Sequence, residues 1–545
     1  MASSDNHPNI IVGDEIDRLV DASLGELLLN LLQTHEKNVI LVDAATNEEL
    51  QADALLAKGI RLAKWFKNLG LGIGDSISVT AENRLEFAIV PVGTFFVGAT
   101  FAPFNPDYTP AEVKHVLGLS KPKVVFCSEK TINKLLAALP NHPHILKLVL
   151  FGNKRRVDKN IVMFEDIIQG PFEFDESFQP PPLDMKETVA TILCSSGTTG
   201  LPKGVMCTHD NMAAFIDIGR TRLAHIAESE GDDAMMGLTP FFHSFGFMLM
   251  FLNILRGKKM VVLSKFHVKF FLDAIIKYNL KRLIVPPPVL LILLKHPLVK
   301  QYDLSGIEEI RSGAAALGKD MQKELKEKFK VKMISQAYGM TETTLGVLMA
   351  HDGNTKLGSV GRIVPGMKVK VIDESNVPLG PNCEGELCFK GPLIMKGYVG
   401  DVQATSATID PDGWLHTGDI AYYDEDRDFF IVDRIKELIK YKGFQVAPAE
   451  LENLLLTHPS VKDAAVTGLP DEIAEELPLA FIVKDGHHLT EEEVVKYVAD
   501  NVSDTKRLRG GVVFVDEIPR NPTGKILRRV LKQRARHMAK LKSKL

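Results

Sequence analysis

The run Thr191-Ile-Leu-Cys-Ser195-Ser196-Gly197-Thr198-Thr199-Gly200-Leu201-Pro202-Lys203-Gly204 starts as a β-rich segment and turns into a loop dense in hydroxyls and glycines. Such a loop lets backbone approach phosphates closely and offers N–H groups, hydroxyl donors and one ammonium, that of Lys203. It departs from the G-x-x-x-x-G-K phosphate loop, because counting from Gly197 puts Pro202 where the second glycine belongs. A strand delivering this loop therefore predicts ATP handling on an α/β sheet, and disfavours kinases and P-loop ATPases.

Outward from the loop, the chain keeps an α/β rhythm. Between Ile40 and about Phe151 a helical pattern over Leu50–Leu69 alternates with β-rich runs at Ser76–Thr80, Lys123–Cys127 and Leu146–Leu150. That alternation predicts βαβ units and a mostly parallel sheet covered by helices. The uncharged run Phe87–Phe104 approaches membrane-spanning length. Its prolines, glycines and small residues instead predict a buried helix running into a strand. The proline-rich stretch Phe172–Leu183 predicts a surface crossing.

Downstream, Arg282–Pro286 reads as a strand and Lys319–Lys330 as an amphipathic helix. From Gly358 to Tyr398, short alternating runs such as Lys368–Ile372 predict a β-subdomain. After Arg434 the pattern becomes α+β. The expected fold class is α/β: a large N-terminal domain of parallel α/β sheets plus a β-subdomain over 1–434, a hinge at 435–436, and a small mobile α+β domain over 437–545.

Bulk properties agree with small-molecule chemistry. The 545 residues exceed what one core accommodates, and a net charge of −4 gives no electrostatic case for nucleic acid as a partner. The five cysteines show no C-x-x-C spacing, so neither a disulfide framework nor a zinc site is expected. The first twenty residues lack the basic start and apolar core of a secretory signal. The ending Ser543-Lys544-Leu545 reads as a peroxisomal address recognised by an import receptor.

At the phosphate loop the sequence resembles the adenylate-forming superfamily of acyl-CoA synthetases, plant coumarate-CoA ligases, beetle luciferases and peptide-synthetase adenylation domains. The resemblance recurs in order at Gln336-Ala-Tyr-Gly-Met-Thr-Glu342-Thr, Gly413-Trp-Leu-His-Thr-Gly-Asp419, Val432-Asp-Arg434-Ile-Lys436-Glu, Lys440-Tyr-Lys442-Gly-Phe-Gln445-Val-Ala-Pro-Ala-Glu450 and Pro522-Thr-Gly-Lys525. It implies ATP, Mg2+ and coenzyme A as cofactors. ATP would be held by Ser195, Ser196, Gly197, Thr198, Thr199, Gly200, Lys203, Gly313, Ala314, Gln336, Ala337, Tyr338, Gly339, Thr341, Asp419 and Arg434.

By the same resemblance Tyr338 packs on adenine, Asp419 and Arg434 take the ribose hydroxyls, and Glu342 serves the metal. A single carboxylate suits magnesium bound to ATP, which takes few protein ligands. Lys525 reaches the acid carboxylate and α-phosphate, where a placed cation counts most in the transition state. Lys436 is the hinge whose rotation exchanges Lys525 for a second face. That face carries Lys440 as a further catalytic residue, with Lys442, Gly443 and Gln445 binding coenzyme A.

Pro240-Phe-Phe-His243-Ser-Phe245-Gly246-Phe247 resembles the segment lining the acyl pocket, with His243 near the carboxylate. Phe245, Gly246, Phe247, Ala315 and Leu345 make up the expected pocket. Trp414–Glu452 is most similar to insect luciferases and their non-luminous relatives. Beetle luciferases carry a serine where Leu345 stands and an arginine where Phe215 aligns. Loss of those polar groups favours a peroxisomal, luciferase-like synthetase of medium- or long-chain fatty acids. A luciferase acting on luciferin with O₂ is the first alternative and a coumarate-type ligase the second.

Overall fold

The computed structural model describes residues 7–18, 20–152, 156, 158–169, 177–195, 201–227, 234–350, 356–442, 444–471, 473–486 and 488–542, without the side chains of 221–227 and 540–542. Ser196, Gly197, Thr198, Thr199, Gly200, Gly443, Ser543, Lys544 and Leu545 lie outside these residues.

An eight-stranded sheet presents the phosphate loop. Thr100–Phe101, Ser76–Thr80, Val124–Cys127, Lys147–Leu150 and Ile161–Met163 pair in parallel, joined by helices such as Pro110–Ser120. Val189–Ser195 joins this parallel set, while Lys203–Thr208 runs back antiparallel with Lys203 opposite Ser195. Val189–Ser195 and Lys203–Thr208 are thus antiparallel partners, a return strand that the glycine-rich composition does not reveal.

The apolar run forms the helix Leu85–Phe96 and the strand Thr100–Phe101, both buried in the main core. No helix among the described residues is long and apolar enough to cross a membrane. The described part of the expected surface crossing, 177–183, is irregular and exposes Ser177, Gln179 and Pro182, but it is pinned by Phe178, buried against Phe96 with ring centroids 5.3 Å apart. Proline-rich backbone here carries an aromatic anchor, and the polar composition around it conceals that.

A second parallel unit, Arg282–Ile284, Glu309–Ser312 and Met333–Gln336, has Arg282, Glu309 and Met333 in register, then Ile284, Arg311 and Ser335. Residues two apart on a strand share a face, so these six side chains form one surface. The amphipathic helix runs Lys319–Phe329 and ends at Lys330 in the left-handed region, φ 51°.

The β-subdomain is larger than expected. Lys368–Ile372, Gly385–Lys390, Leu415–Tyr423 and Phe429–Arg434 form one antiparallel sheet, with Ile11–Val12 on its edge. It therefore runs to the hinge itself, and Asp419 is the register partner of Arg434.

Beyond the hinge, Ile439–Tyr441, Phe444–Val446, Val461–Asp471, Glu475–Lys484 and Gly511–Phe514 form a separate sheet. The helices Pro448–Leu456, Glu491–Asn501 and Arg528–Lys542 pack on it around cores of their own. Arg528 ties this domain to the hinge, with its Nε 2.7 Å from Glu437 and its Nη2 2.8 Å from Glu452.

Candidate active site

A cavity of roughly 1050 Å³ gathers most of the expected residues from both domains. Ser195 and Lys203 stand at one end on their paired strands, and the Lys203 ammonium lies 4.6 Å from the centre of the Tyr398 ring. Tyr398 donates from its hydroxyl to Glu342 at 2.9 Å. Burial first, then the nearby Glu342 charge, push the Tyr398 phenol up, so it stays protonated and keeps donating. Glu342 is only 6% exposed, which rules out a merely solvated loop acid.

The far side of this end carries the residues expected to hold the nucleoside. Tyr338 lies face to face with Phe389, ring centroids 5.9 Å apart, and donates to Asp419 Oδ2 at 2.6 Å. Arg434 Nε is 3.0 Å from Asp419 Oδ1. Asp419 itself lies behind the lining, bonded to the lining residues Tyr338 and Arg434. In the lining, the buried Ser312 Oγ has no hydrogen-bond partner, which suits a polar ligand group there.

Gln336 spends its side-chain oxygen on the Leu317 amide at 2.8 Å, fixing the turn that carries Gly313 and Ala314. Gly313, Ala314, Ala337, Gly339 and Thr341 line the cavity. Gly339 is obligatory, since a Cβ there would sit 1.6 Å from the Leu345 carbonyl oxygen.

Lys525 arrives from the small domain on a tight turn. Asn521 Oδ1 accepts the Thr523 and Lys525 amides at 3.0 and 2.9 Å. Gly524, at φ 86°, lets the turn press on Pro288 of the large domain. Burial, and then the Arg434 charge, bring the Lys525 ammonium down to about 8. His243, buried and next to that cation, is brought down to about 4 and is neutral. Its Nδ1 accepts the Phe245 amide at 3.3 Å, capping the helix Ser244–Leu255.

Phe245 and Leu345 line the acyl end, as does Phe215. Three expected pocket residues do not. Phe247 stacks on Phe251 inside the core, ring centroids 5.8 Å apart. Residues two apart on a helix point about 200° from each other, which separates it from Phe245. Gly246 is packed under Thr239 and Pro240, where a Cβ would sit 2.2 Å from the Pro240 carbonyl oxygen. Ala315 lies past the Gly313–Ala314 corner and is not part of the lining.

Lys440, Lys442 and Gln445 are exposed on a hairpin of the small domain, and none lines the cavity. Lys436 does line it.

Sequence reasoning missed Glu386 and His416. Glu386 Oε1 accepts the Gly418 amide at 2.9 Å, while Oε2 is 3.2 Å from His416 Nδ1. The hydrogen bond to Glu386 raises the His416 imidazole against the opposing effect of burial. The pair fixes the turn in front of Asp419. The only signal for it was His416 inside the Gly413–Asp419 motif.

The AMP-binding enzyme family matches residues 32–399, and the AMP-binding enzyme C-terminal domain matches 450–525. A luciferin 4-monooxygenase of Nipponoluciola cruciata is 41% identical over 542 residues, covering 98% of each chain. A 4-coumarate-CoA ligase 1 of Narcissus pseudonarcissus is 37% identical, covering 91% of this chain and 90% of the relative. Among solved structures, ATP-bound MatB of Rhodopseudomonas palustris superposes with a TM-score of 0.83 at 26% identity, over 94% of this chain and 99% of its own. With the phosphate-loop strands, the Tyr338–Asp419–Arg434 wall and the Lys525 turn assembled around one cavity, this chain belongs to the AMP-binding enzyme family.

Proposed function

We propose that the protein joins a medium- or long-chain fatty acid to ATP, forming acyl-AMP and pyrophosphate, and then passes the acyl group to coenzyme A. What carries this reading is that one cavity joins Tyr338, Arg434 and Lys525 to an apolar gallery along the helix Ser244–Leu255.

In the first step a carboxylate oxygen attacks the α-phosphorus and the bond to pyrophosphate breaks. Charge accumulates on the phosphoryl oxygens, and the desolvated Lys525 ammonium supports it. His243, neutral and next to Lys525, can orient the carboxylate without adding charge. Asp419 and Arg434 hold the ribose. Glu342, steadied by Tyr398, is the carboxylate suited to magnesium, which would neutralise phosphate charge. In the second step the coenzyme A sulfur attacks the acyl carbonyl, its thiol proton leaves, and AMP departs. Lys440, Lys442 and Gln445 would reach the cavity by rotation at Lys436.

A second reading, oxidation of luciferyl-AMP by O₂, is favoured by the 41% identity to a luciferin 4-monooxygenase. Leu345 and Phe215 support the fatty-acid reading, since both put hydrocarbon into the acyl end. The Ser543-Lys544-Leu545 ending supports a peroxisomal location. The deciding experiment is acid-dependent AMP release with ATP, magnesium and coenzyme A, using fatty acids, coumaric acid and luciferin and recording light. Acyl-CoA from fatty acids with little light from luciferin upholds the proposal. Strong light, or preference for coumaric acid, overturns it.

A further inference from the structure

We propose that Glu386, Cys388 and His416 form a binding site for one divalent transition-metal cation of the zinc class, set between the β-subdomain sheet and the cavity. The inference goes beyond the proposed reaction and does not depend on which acid is activated.

The sheet builds the cluster. Glu386 and Cys388 are two apart on the strand Gly385–Lys390 and so project to one side. Cys388 stands opposite His416 on Leu415–Tyr423, while Glu386 stands opposite Ile420. This slip in register falls across Gly418, at φ 68°, and the Glu386 carboxylate meets the His416 ring. Donors at 386, 388 and 416 escape a search for C-x-x-C spacing, because the sheet and not the local sequence gathers them.

Three donor atoms converge on one point. His416 Nδ1 lies 3.2 Å from Glu386 Oε2 and 3.6 Å from Cys388 Sγ, and the three atoms all lie within 4.8 Å of one another. A ring nitrogen holds one proton and cannot direct it at the carboxylate and the sulfur together. A cation can bind all three. With bonds of about 2.3 Å to sulfur and about 2.0–2.2 Å to nitrogen and oxygen, tetrahedral zinc spaces its ligands about 3.3–3.6 Å apart. Both distances to Nδ1 are close to that range.

His416 is already oriented as a ligand. Asp410 Oδ2 lies 3.5 Å from its Nε2, and Asp410 Oδ1 accepts the Trp414 amide at 2.9 Å. A carboxylate behind the far ring nitrogen favours the proton on Nε2 and bares Nδ1 toward the ion. Glu386 is held as well, since its other oxygen accepts the Gly418 amide at 2.9 Å. Sulfur and imidazole donors select zinc or cobalt over magnesium. The Lys370 and Lys390 ammoniums lie 4.3 and 5.9 Å from the centre of the Trp414 ring, outside the donor set. Glu386 and His416 line the cavity, which gives the ion its way in, and the buried Cys388 closes the site from the core. Loading replaces the thiol proton, which leaves to solvent.

The test is titration of the full-length protein with Co2+, reading the sulfur-to-cobalt charge-transfer absorption of a thiolate-bound ion. One Co2+ per chain is expected to give that band, Zn2+ to abolish it by displacement, and excess Mg2+ to leave it. Cys388→Ser should remove the band while ATP–pyrophosphate exchange and thermal protection by ATP stay unchanged. Cys383→Ser, at the exposed thiol, should keep the band. Asp410→Asn should weaken Co2+ binding by about tenfold or more, the scale of losing a partner that orients a ligand. Absence of the band in the wild type overturns the proposal. So does a band that survives Cys388→Ser, one that is lost in Cys383→Ser, or one that Mg2+ displaces.

Discussion

The small domain shows the cavity one lysine and the solvent two others. Lys525 is locked by Asn521, pressed against the large domain through Gly524, and desolvated until its ammonium falls to about 8. Lys440 and Lys442 stand exposed on the Ile439–Tyr441 and Phe444–Val446 hairpin, beside a Phe444 that is 57% exposed. One domain thus holds a face in use and a face in waiting. That difference suits the proposal that this pose serves the first chemical step and that rotation at Lys436 brings in the second face.

The most disruptive way to erase this contrast is Arg528→Met. It would strand Glu437 and Glu452 without their buried cation and loosen the Lys525 side from the hinge. A loss of about 3–5 kcal/mol in small-domain stability is expected, measured by chemical denaturation. Next comes Lys525→Ala, which should cut the rate of ATP–pyrophosphate exchange by about 10²–10³-fold while the fold stays intact. Asp419→Ala removes the ribose acceptor, a charged hydrogen-bonding group worth about 1.5–3 kcal/mol. It should raise KM for ATP by about tenfold or more, in the same exchange assay.

A pH profile sharpens the contrast without mutation. On the proposed mechanism Lys525 acts as a cation, and its folded-state value is lowered, so the active form should be lost as pH rises through about 8 rather than through the ordinary lysine range. The kcat/KM for exchange should fall about tenfold per pH unit above that point, since this parameter reports the free enzyme. Lys525→Arg should abolish the inflection. The smallest expected effect is the sharpest test: Lys440→Ala and Lys442→Ala should leave exchange within about twofold yet slow thioester formation. If both steps suffer alike, the hairpin is not a separate face.

Legibility in the sequence followed the distance over which each feature is encoded. Ser76–Thr80 and Lys368–Ile372 were bounded to the residue, because β-branched or alternating runs carry their own period. The nucleoside wall was legible because Tyr338, Glu342, Asp419 and Arg434 each sit inside a consecutive motif. The acyl wall was not. Its residues Leu249, Leu252 and Arg256 repeat at helical spacing inside a helix that is apolar nearly all round, so composition could not show which face looks inward. The same ambiguity placed Phe247 in the pocket when it belongs to the core. Tyr398 and Glu386 escaped notice because their roles depend on partners far along the chain.

The hinge peptide has one further bond. The Ile435 amide donates to the Gly418 carbonyl at 2.9 Å, and the Gly418 amide is itself held by Glu386. Ile435 is therefore stitched to the same turn that presents Asp419. If that stitch persists through the swing, the axle cannot begin before Lys436. On the proposed rotation, the turn in front of Asp419 would then be the bearing in which the small domain turns. Wear in that bearing, from Glu386→Gln for instance, would show first as mistimed rotation and only afterwards as weakened ribose binding.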